Sequence, residues 1–344
     1  MKNFLKKNYT YIIAELSANH NQNFQIAKDS VYAAKEAGVD AIKFQTYTAD
    51  TITLNVKNKY FKASGPWKNK YLYDLYQTAY MPWEWQKELK KYADNLNIDC
   101  FSSPFDFTAV DFLESIDVPA YKIASFEIND IALIKYTASK QKPMIISTGV
   151  ATETEIQEAI DTCKSVGNEN INLLKCTSAY PAPLEEANLN SIKYLEEKFH
   201  LPVGFSDHTL GITAPIVAVS LGAKIIEKHF ILDKNIKSAD SSFSLDKTEL
   251  KHMVQTIRET EKLLGKKEFK LTKKAQEAKH YSRSLFISKD IKKGEVFSSD
   301  NIKSVRPNLG LSTKYYDSIL GTKANKNLSY GSPLKKEDIE GDID

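Results

Sequence analysis

The sequence predicts a (β/α)8 barrel followed by a small separate domain. Three features carry that expectation. Short apolar, β-rich runs alternate with longer amphipathic stretches, the alternation repeats eight times in about 250 residues, and the pattern changes abruptly after residue 265. In order, the runs and the helices that follow them are 11–17 with 25–37, 41–46 with a long insertion and then 82–96, 99–103 with 108–115, and 120–125 with 132–140. The second half continues with 144–148 and 153–166, 172–177 and 191–199, 202–206 and 214–221, and 224–230 and 245–264. Parallel barrel strands are buried on both faces, so they read as unbroken apolar runs; Met144-Ile145-Ile146 is one. A doubly wound sheet that binds a dinucleotide needs a glycine-rich phosphate turn after an early strand, and none is present.

The domain organisation follows from the same pattern: a barrel over 1–265, a linker over 266–282 and a small domain over 283–344. The linker stretch is lysine-rich with few apolar anchors. Beyond it come a short strand at 283–288, a turn at Lys292-Lys293-Gly294-Glu295 and turn-rich sequence at 327–333. So few residues bury a limited core, which favours leaning on a partner.

Composition narrows the functional class. Of 344 residues, 42% are hydrophobic and 26% charged, which is ordinary for a globular protein. No apolar run reaches eighteen residues, and Met1 to Tyr11 lacks the apolar stretch of a leader peptide, so no membrane association is expected. Cys100, Cys163 and Cys176 are odd in number and without paired spacing, which points to the reducing cytoplasm. The 47 basic and 44 acidic residues are intermixed and leave a net charge of +3. That is the signature of solvated helix faces and argues against a nucleic-acid surface.

The chemistry is expected at the C-terminal strand ends, where barrel enzymes build their sites. Strand one ends near Glu15, Ser17, Asn19 and His20, and strand two offers Lys43 and Gln45. Strand three ends in Ser102 and Ser103, strand four carries Lys122, Ser125 and Glu127, and strand five ends in Ser147 and Thr148. Strand six carries Lys175, Thr177, Ser178 and Tyr180, strand seven Ser206, Asp207 and His208, and strand eight Glu227, Lys228 and His229. A single serine after a strand is usually a turn or helix cap, and a single embedded lysine can snorkel to the rim. Eight polar ends in register are a different matter: embedded lysines call for anions, and lysines with hydroxyls at a barrel mouth suit a phosphate.

His208 and His229 stand at equivalent positions on adjacent strands, with Asp207 and Glu15 nearby in the mouth. A lone histidine there would read as a hydrogen-bonded core residue, whereas two can share a divalent metal. Mixed nitrogen and oxygen ligands suit Mn²⁺ first, with Mg²⁺ or Co²⁺ as alternatives, and no cysteine beside them argues for structural zinc.

These strand ends resemble those of the sialic acid synthases over nearly the whole chain. The segments are Ala14-Glu15-Leu16-Ser17-Ala18-Asn19-His20, Ile42-Lys43-Phe44-Gln45-Thr46, Ser102-Ser103-Pro104-Phe105, Tyr121-Lys122-Ile123-Ala124-Ser125, Ser147-Thr148-Gly149, Cys176-Thr177-Ser178-Ala179-Tyr180-Pro181, Gly204-Phe205-Ser206-Asp207-His208 and Glu227-Lys228-His229-Phe230. The tail, with Lys289-Asp290-Ile291-Lys292-Lys293-Gly294 and Val305-Arg306-Pro307, resembles that family's antifreeze-like (SAF) domain. Ser-Ala-Asn-His after strand one, Ser103, Ala124-Ser125-Phe126-Glu127, Ser178, the Gly65-Pro66-Trp67 loop and 240–245 resemble its pseudaminic acid branch.

The resemblance implies a metal-dependent condensation of phosphoenolpyruvate with an amino-sugar aldehyde and water. For this branch the aldehyde is 2,4-diacetamido-2,4,6-trideoxy-L-altrose. It implies that Lys43, Ser103, Lys122, Ser125, Ser147 and Ser206 bind phosphoenolpyruvate, and that His208 and His229 bind the metal. Gln45, Tyr180, Asp240 and Arg306 would face the sugar, while Glu15, Glu127, Lys122 and Tyr180 are the candidate catalytic residues. Arg306 would come from the partner subunit of a domain-swapped homodimer. The rivals are N-acetylmannosamine or the legionaminic acid precursor as acceptor, or a pyruvate aldolase with Lys122 or Lys175 as Schiff-base lysine.

Overall fold

A computed structural model of the chain describes residues 9–343, so the expectation about a leader peptide rests largely on residues outside that range. Eight parallel strands close into a barrel: β1 Tyr11–Glu15, β2 Ala41–Thr46, β3 Asp99–Pro104, β4 Tyr121–Ile123, β5 Met144–Ser147, β6 Ile171–Cys176, β7 Val203–Asp207 and β8 Ile225–His229. The barrel shuts where β1 pairs with β8, in a register that sets Glu15 opposite His229; on its other side Glu15 stands opposite Lys43 of β2.

Helices between the strands pack on the outside, and their ends are chemically marked. Asn23 caps Phe24–Ala37 by accepting from the amide of Ile26, and Gly38 ends that helix at φ 85°, a left-handed conformation that a side chain would strain. Thr152 and Glu155 form a reciprocal capping box at the start of Glu153–Ser165, as Asp246 and Glu249 do for Lys247–Leu264. The layer between strands and helices is apolar: Ile12, Ile42, Val31, Leu89, Ile146, Leu173, Ile226 and Ile257 are fully buried. Each such aliphatic side chain contributes roughly 1.5–3 kcal/mol relative to exposure.

Two elements differ from expectation. The strand at 120–125 is shorter than its apolar run, because Ser125–Glu127 coil into a 3-10 turn that aims their side chains across the mouth. The insertion after β2 is an ordered strap with helices at Ala49–Ile52 and Leu72–Ala79 and tight turns at Lys59–Phe61 and Gly65–Trp67. The amide of Ala63 bonds the carbonyl of Lys70, closing the strap on itself.

The chain divides into two compact units, residues 1–265 and 266–344. The lysine-rich start of the second unit contains a short helix, Lys273–Ala278, capped by Thr272. Further on, β9 Ser284–Ile287 pairs antiparallel with β10 Ile302–Val305, over a small core that includes Leu285, Ile287, Phe297, Ile302, Ile319 and Leu334. No helix among the described residues is long and apolar enough to cross a membrane.

Candidate active site

Strand alternation sorts the polar strand ends into two sets. One set converges inside the barrel. Lys43 Nζ lies 2.8 Å from Glu15 Oε2 and 3.7 Å from Glu227 Oε1, and donates to Ser103 Oγ at 3.3 Å. Lys122 Nζ lies 3.7 Å from the same Glu227 oxygen, to which Ser206 donates at 3.2 Å. Gln45 Nε2 donates to Glu15 Oε1 at 2.9 Å. The other set turns away from this cluster: Lys228 pairs with Asp207 at 2.5 Å, with both side chains fully buried. Lys175 is tied to the carbonyl of Cys176 and the hydroxyl of Thr177, at 2.8 and 3.1 Å.

The anions that the embedded lysines call for are supplied in part from within, by the carboxylates of Glu15 and Glu227. Glu227 is the hub of the cluster, a role that the sequence marks only by a carboxylate at a strand end two residues before a histidine. Burial works against its ionisation, but Lys122 and Lys43 outweigh it and hold the carboxyl below the ordinary range. Burial pushes Glu15 the other way, upward, against the pull of Lys43. A proton on Glu15 leaves two lysines facing one carboxylate, an excess of positive charge suited to an anion.

Beside the lysines is a hydroxyl cradle. Ser178 Oγ donates to Ser125 Oγ at 2.9 Å, and Ser147 Oγ is buried with no protein partner. A Cβ on Gly149 would stand 2.4 Å from Ser178 Oγ and 2.7 Å from Ser125 Oγ, so only glycine leaves this space open. If this cradle holds the phosphoenolpyruvate that the sequence resemblance implies, Gly149→Ala should raise its Michaelis constant about tenfold or more, by displacing one or two hydroxyl contacts worth roughly 1 kcal/mol each. Steady-state kinetics at saturating acceptor check it; an unchanged constant in a folded variant removes Ser125 and Ser178 from the cradle.

His208 and His229 approach with ring centroids 5.3 Å apart. His208 Nδ1 lies 2.8 Å from the carbonyl of Thr177, a contact that places the proton on Nδ1 and leaves the Nε2 lone pair for a ligand. His229 Nδ1 is buried without a hydrogen-bond partner, and burial together with the neighbouring His208 holds this imidazole neutral. Two imidazoles, one with an orphaned nitrogen, fit a divalent ion. Among the described residues no third His, Cys, Asp or Glu joins them in a ligand cluster. Asp207 and Glu15, expected nearby, are engaged by Lys228 and Lys43. Further positions would fall to water or substrate, as at open catalytic sites. The expectation that no cysteine stands beside the pair is corrected: Cys176 Sγ lies 3.8 Å from His208 Nδ1, because β6 and β7 pair in a register that sets Cys176 opposite Ser206.

Above the cluster opens a cavity of about 660 Å³. Gln45, Ser125, Glu127, Tyr180, His229 and Asp240 line it. Glu15, Lys43, Ser103, Lys122, Ser147, Ser206 and His208 are all buried and do not line it. The hydroxyl of Ser17 bonds Asp240, whose Oδ2 stands 4.0 Å from His229 Nδ1. Tyr180 is wedged between His208 at 4.4 Å, Phe243 at 5.3 Å and Trp67 at 5.8 Å, centroid to centroid. Burial raises Glu127 to about 7, against Lys122 and with Asp130 adding to the rise. Its Oε2 has no hydrogen-bond partner. The aromatic residues Tyr47, Trp67 and Tyr76 of the strap region were not expected as site residues. Nothing in the β-period pattern marks an insertion as part of a pocket.

Arg306 lies in the second unit, exposed at a bend just after β10. The ladder ends at Val305, and the hydroxyl of Ser284 donates to the carbonyl of Pro307 at 2.7 Å, turning the chain.

A (β/α)8 barrel whose mouth holds two buried lysines, a serine cradle and two facing imidazoles defines an enzyme that handles an anionic substrate beside a polar one. The chain belongs to the NeuB family, the sialic acid synthases, whose model matches residues 30–269; a SAF domain matches residues 282–340. It is 49% identical over 338 residues to the pseudaminic acid synthase of Campylobacter jejuni subsp. jejuni strain 81-176, covering 98% of both chains. To the pseudaminic acid synthase of Helicobacter pylori strain 26695 it is 50% identical over 331 residues, covering 96% of this chain and 97% of the relative. Among solved structures it resembles the N-acetylneuraminic acid synthetase of Leptospira borgpetersenii in complex with citrate, with TM-score 0.71 and 32% identity over 78% of this chain and 90% of that one.

Proposed function

We propose that this chain is a pseudaminic acid synthase. It joins C3 of phosphoenolpyruvate to the aldehyde carbon of open-chain 2,4-diacetamido-2,4,6-trideoxy-L-altrose, adds water at C2 and releases inorganic phosphate. The observation that carries the reading is near-50% identity, over almost the full length, to two pseudaminic acid synthases. The buried cluster supplies a physical reason. Lys43 and Lys122 would hold the phosphate, with Ser103, Ser125, Ser147 and Ser206 around it, and support its departure by charge-assisted bonds. Gln45, Tyr180 and Asp240 would hold the sugar. As C3 attacks, positive charge develops at C2, and ionised Glu127 would orient the incoming water and take its proton. Mn²⁺ held by His208 and His229, or Mg²⁺ or Co²⁺ in its place, would supply Lewis acidity to the aldehyde oxygen.

The assembly belongs to the same proposal: a domain-swapped homodimer in which Arg306 of one chain reaches the sugar in the partner's barrel. An exposed arginine on a unit with a small core supports it, as does the resemblance of the tail to SAF domains. Chemistry of this kind runs in the cytoplasm, where phosphoenolpyruvate is available.

The test is phosphate release with three acceptors. The trideoxy-altrose is expected to give turnover, N-acetylmannosamine and the legionaminic acid precursor little. Chelation should abolish turnover and Mn²⁺ restore it. Turnover without phosphate release, from free pyruvate, would establish an aldolase instead.

A further inference from the structure

The cavity above the lysine cluster is lined by groups of both kinds, polar and apolar. The strand ends contribute Gln45, Glu127 and Asp240, and the strap contributes an aliphatic patch, Ile52, Leu72 and Leu75, beside the hydroxyl-bearing Tyr47, Ser64 and Tyr76. The strap is fixed over the mouth: Trp67 Nε1 donates to the carbonyl of Ala239 at 3.2 Å, next to Asp240, and its ring meets that of Tyr180 at 5.8 Å. At the other end Tyr47 packs edge-on against both Tyr76 and Phe105, with centroids 5.6 and 5.2 Å apart. A substrate hydroxyl seated on the aliphatic patch itself would be desolvated without a partner from Ile52, Leu72 or Leu75.

Which part of the acceptor meets this surface follows from connectivity. The aldehyde carbon must lie against phosphoenolpyruvate, hence at the deep, polar side beside the lysines and histidines. The rest of the sugar extends outward from it, and C6 is the carbon farthest along the chain. In a 6-deoxy hexose that end is a methyl group; in a hexose with an oxygen at C6 it is a hydroxymethyl group. We infer that the strap surface formed by Ile52, Leu72 and Leu75 reads C6 of the acceptor, accepting a methyl and disfavouring a hydroxymethyl. This deepens the proposed function and rests on it for the orientation of the sugar. An apolar pocket rejects an added hydroxyl by about 10²-fold, no more, so the strap acts as a graded filter.

The experiment measures kcat/KM for two acceptors that differ only at C6, the 2,4-diacetamido-2,4,6-trideoxy-hexose and its 6-hydroxy counterpart. The wild-type ratio is expected to favour the 6-deoxy sugar by about 10²-fold. Leu72→Asn offers the hydroxyl a partner and costs the methyl its contact, so the ratio should fall about tenfold, chiefly through the Michaelis constant of the sugar. The constant for phosphoenolpyruvate should stay within about twofold, since Leu72 lines the upper cavity and none of the buried cluster. Ile52→Ser is the second variant, for the case in which Leu72→Asn does not fold. A ratio unchanged in a folded variant, with the phosphoenolpyruvate constant also unchanged, overturns the inference. If the wild type releases no phosphate with the trideoxy sugar, it is the proposed function that fails. The strap is then judged on N-acetylmannosamine and its 6-deoxy form, by the same ratio.

Discussion

Glu127→Gln is expected to cost between about 10² and 10⁴ in kcat, the range of a positioned general base. It should also abolish the acidic limb of the rate profile. With its carboxyl raised to about 7 by burial, the wild type should gain activity as pH rises through that value, because only the ionised form accepts a proton from water. The same shift carries a stability signature of known sign. The folded carboxyl holds its proton more tightly than the unfolded chain, so its stabilising contribution is complete below about 4.5 and is lost as pH rises through about 7. Glutamine does not titrate. The melting temperature of the variant relative to wild type should therefore be higher at pH 8 than at pH 5, by roughly a few degrees. A kcat within fivefold of wild type would remove Glu127 from the chemistry, and an unchanged difference in melting temperature would show that its carboxyl is not held protonated by burial.

Lys122→Met should raise the Michaelis constant for phosphoenolpyruvate by on the order of 10²-fold, since a charge-assisted bond to phosphate is worth about 1.5–3 kcal/mol. Methionine keeps most of the stem in a site only 2% exposed. Glu227 keeps Lys43 at 3.7 Å, so the remaining carboxylate is not left alone and the fold should persist, by circular dichroism and melting. An unchanged constant would mean that Lys122 serves Glu227 and not phosphate. The variant also tests the shared site. Mixed with Arg306→Ala chains under conditions of subunit exchange, it should recover activity, because one barrel then combines a native Lys122 with a native Arg306. Heterodimers that form and remain inactive would place Arg306 outside the partner's site.

The barrel was legible because its strands are buried on both faces, so composition alone marks them: Met144-Ile145-Ile146 and Ile171 to Leu174 carry no surface alternation to confuse the reading. The polar ring was legible because polar residues recur at one end of every run. The direction in which each polar side chain points was not legible. Asp207 and Lys228 are as polar as Glu227 and His229, yet they bond to one another on the opposite side of the strands. That division depends on the phase of each strand, which an unbroken apolar run does not disclose. The strap was illegible for another reason: its residues are brought to the mouth by tertiary contacts such as Trp67 to Ala239, far apart in sequence.

Glu15 and His229 are register partners on the first and last strands of the barrel. A chain emerging from the ribosome therefore lacks the barrel's part of the site until β8 has been made and has docked against β1. The buried lysines share that timing. Lys43 is synthesised long before Glu227, one of the two carboxylates it faces at the end, and must wait with Glu15 in an unclosed, hydrated sheet. Contacts of such long sequence separation are slow to form. Truncations that end just before β8 should leave an unclosed barrel with open hydrogen-bonding edges at β7 and β1, a natural substrate for chaperones and proteases.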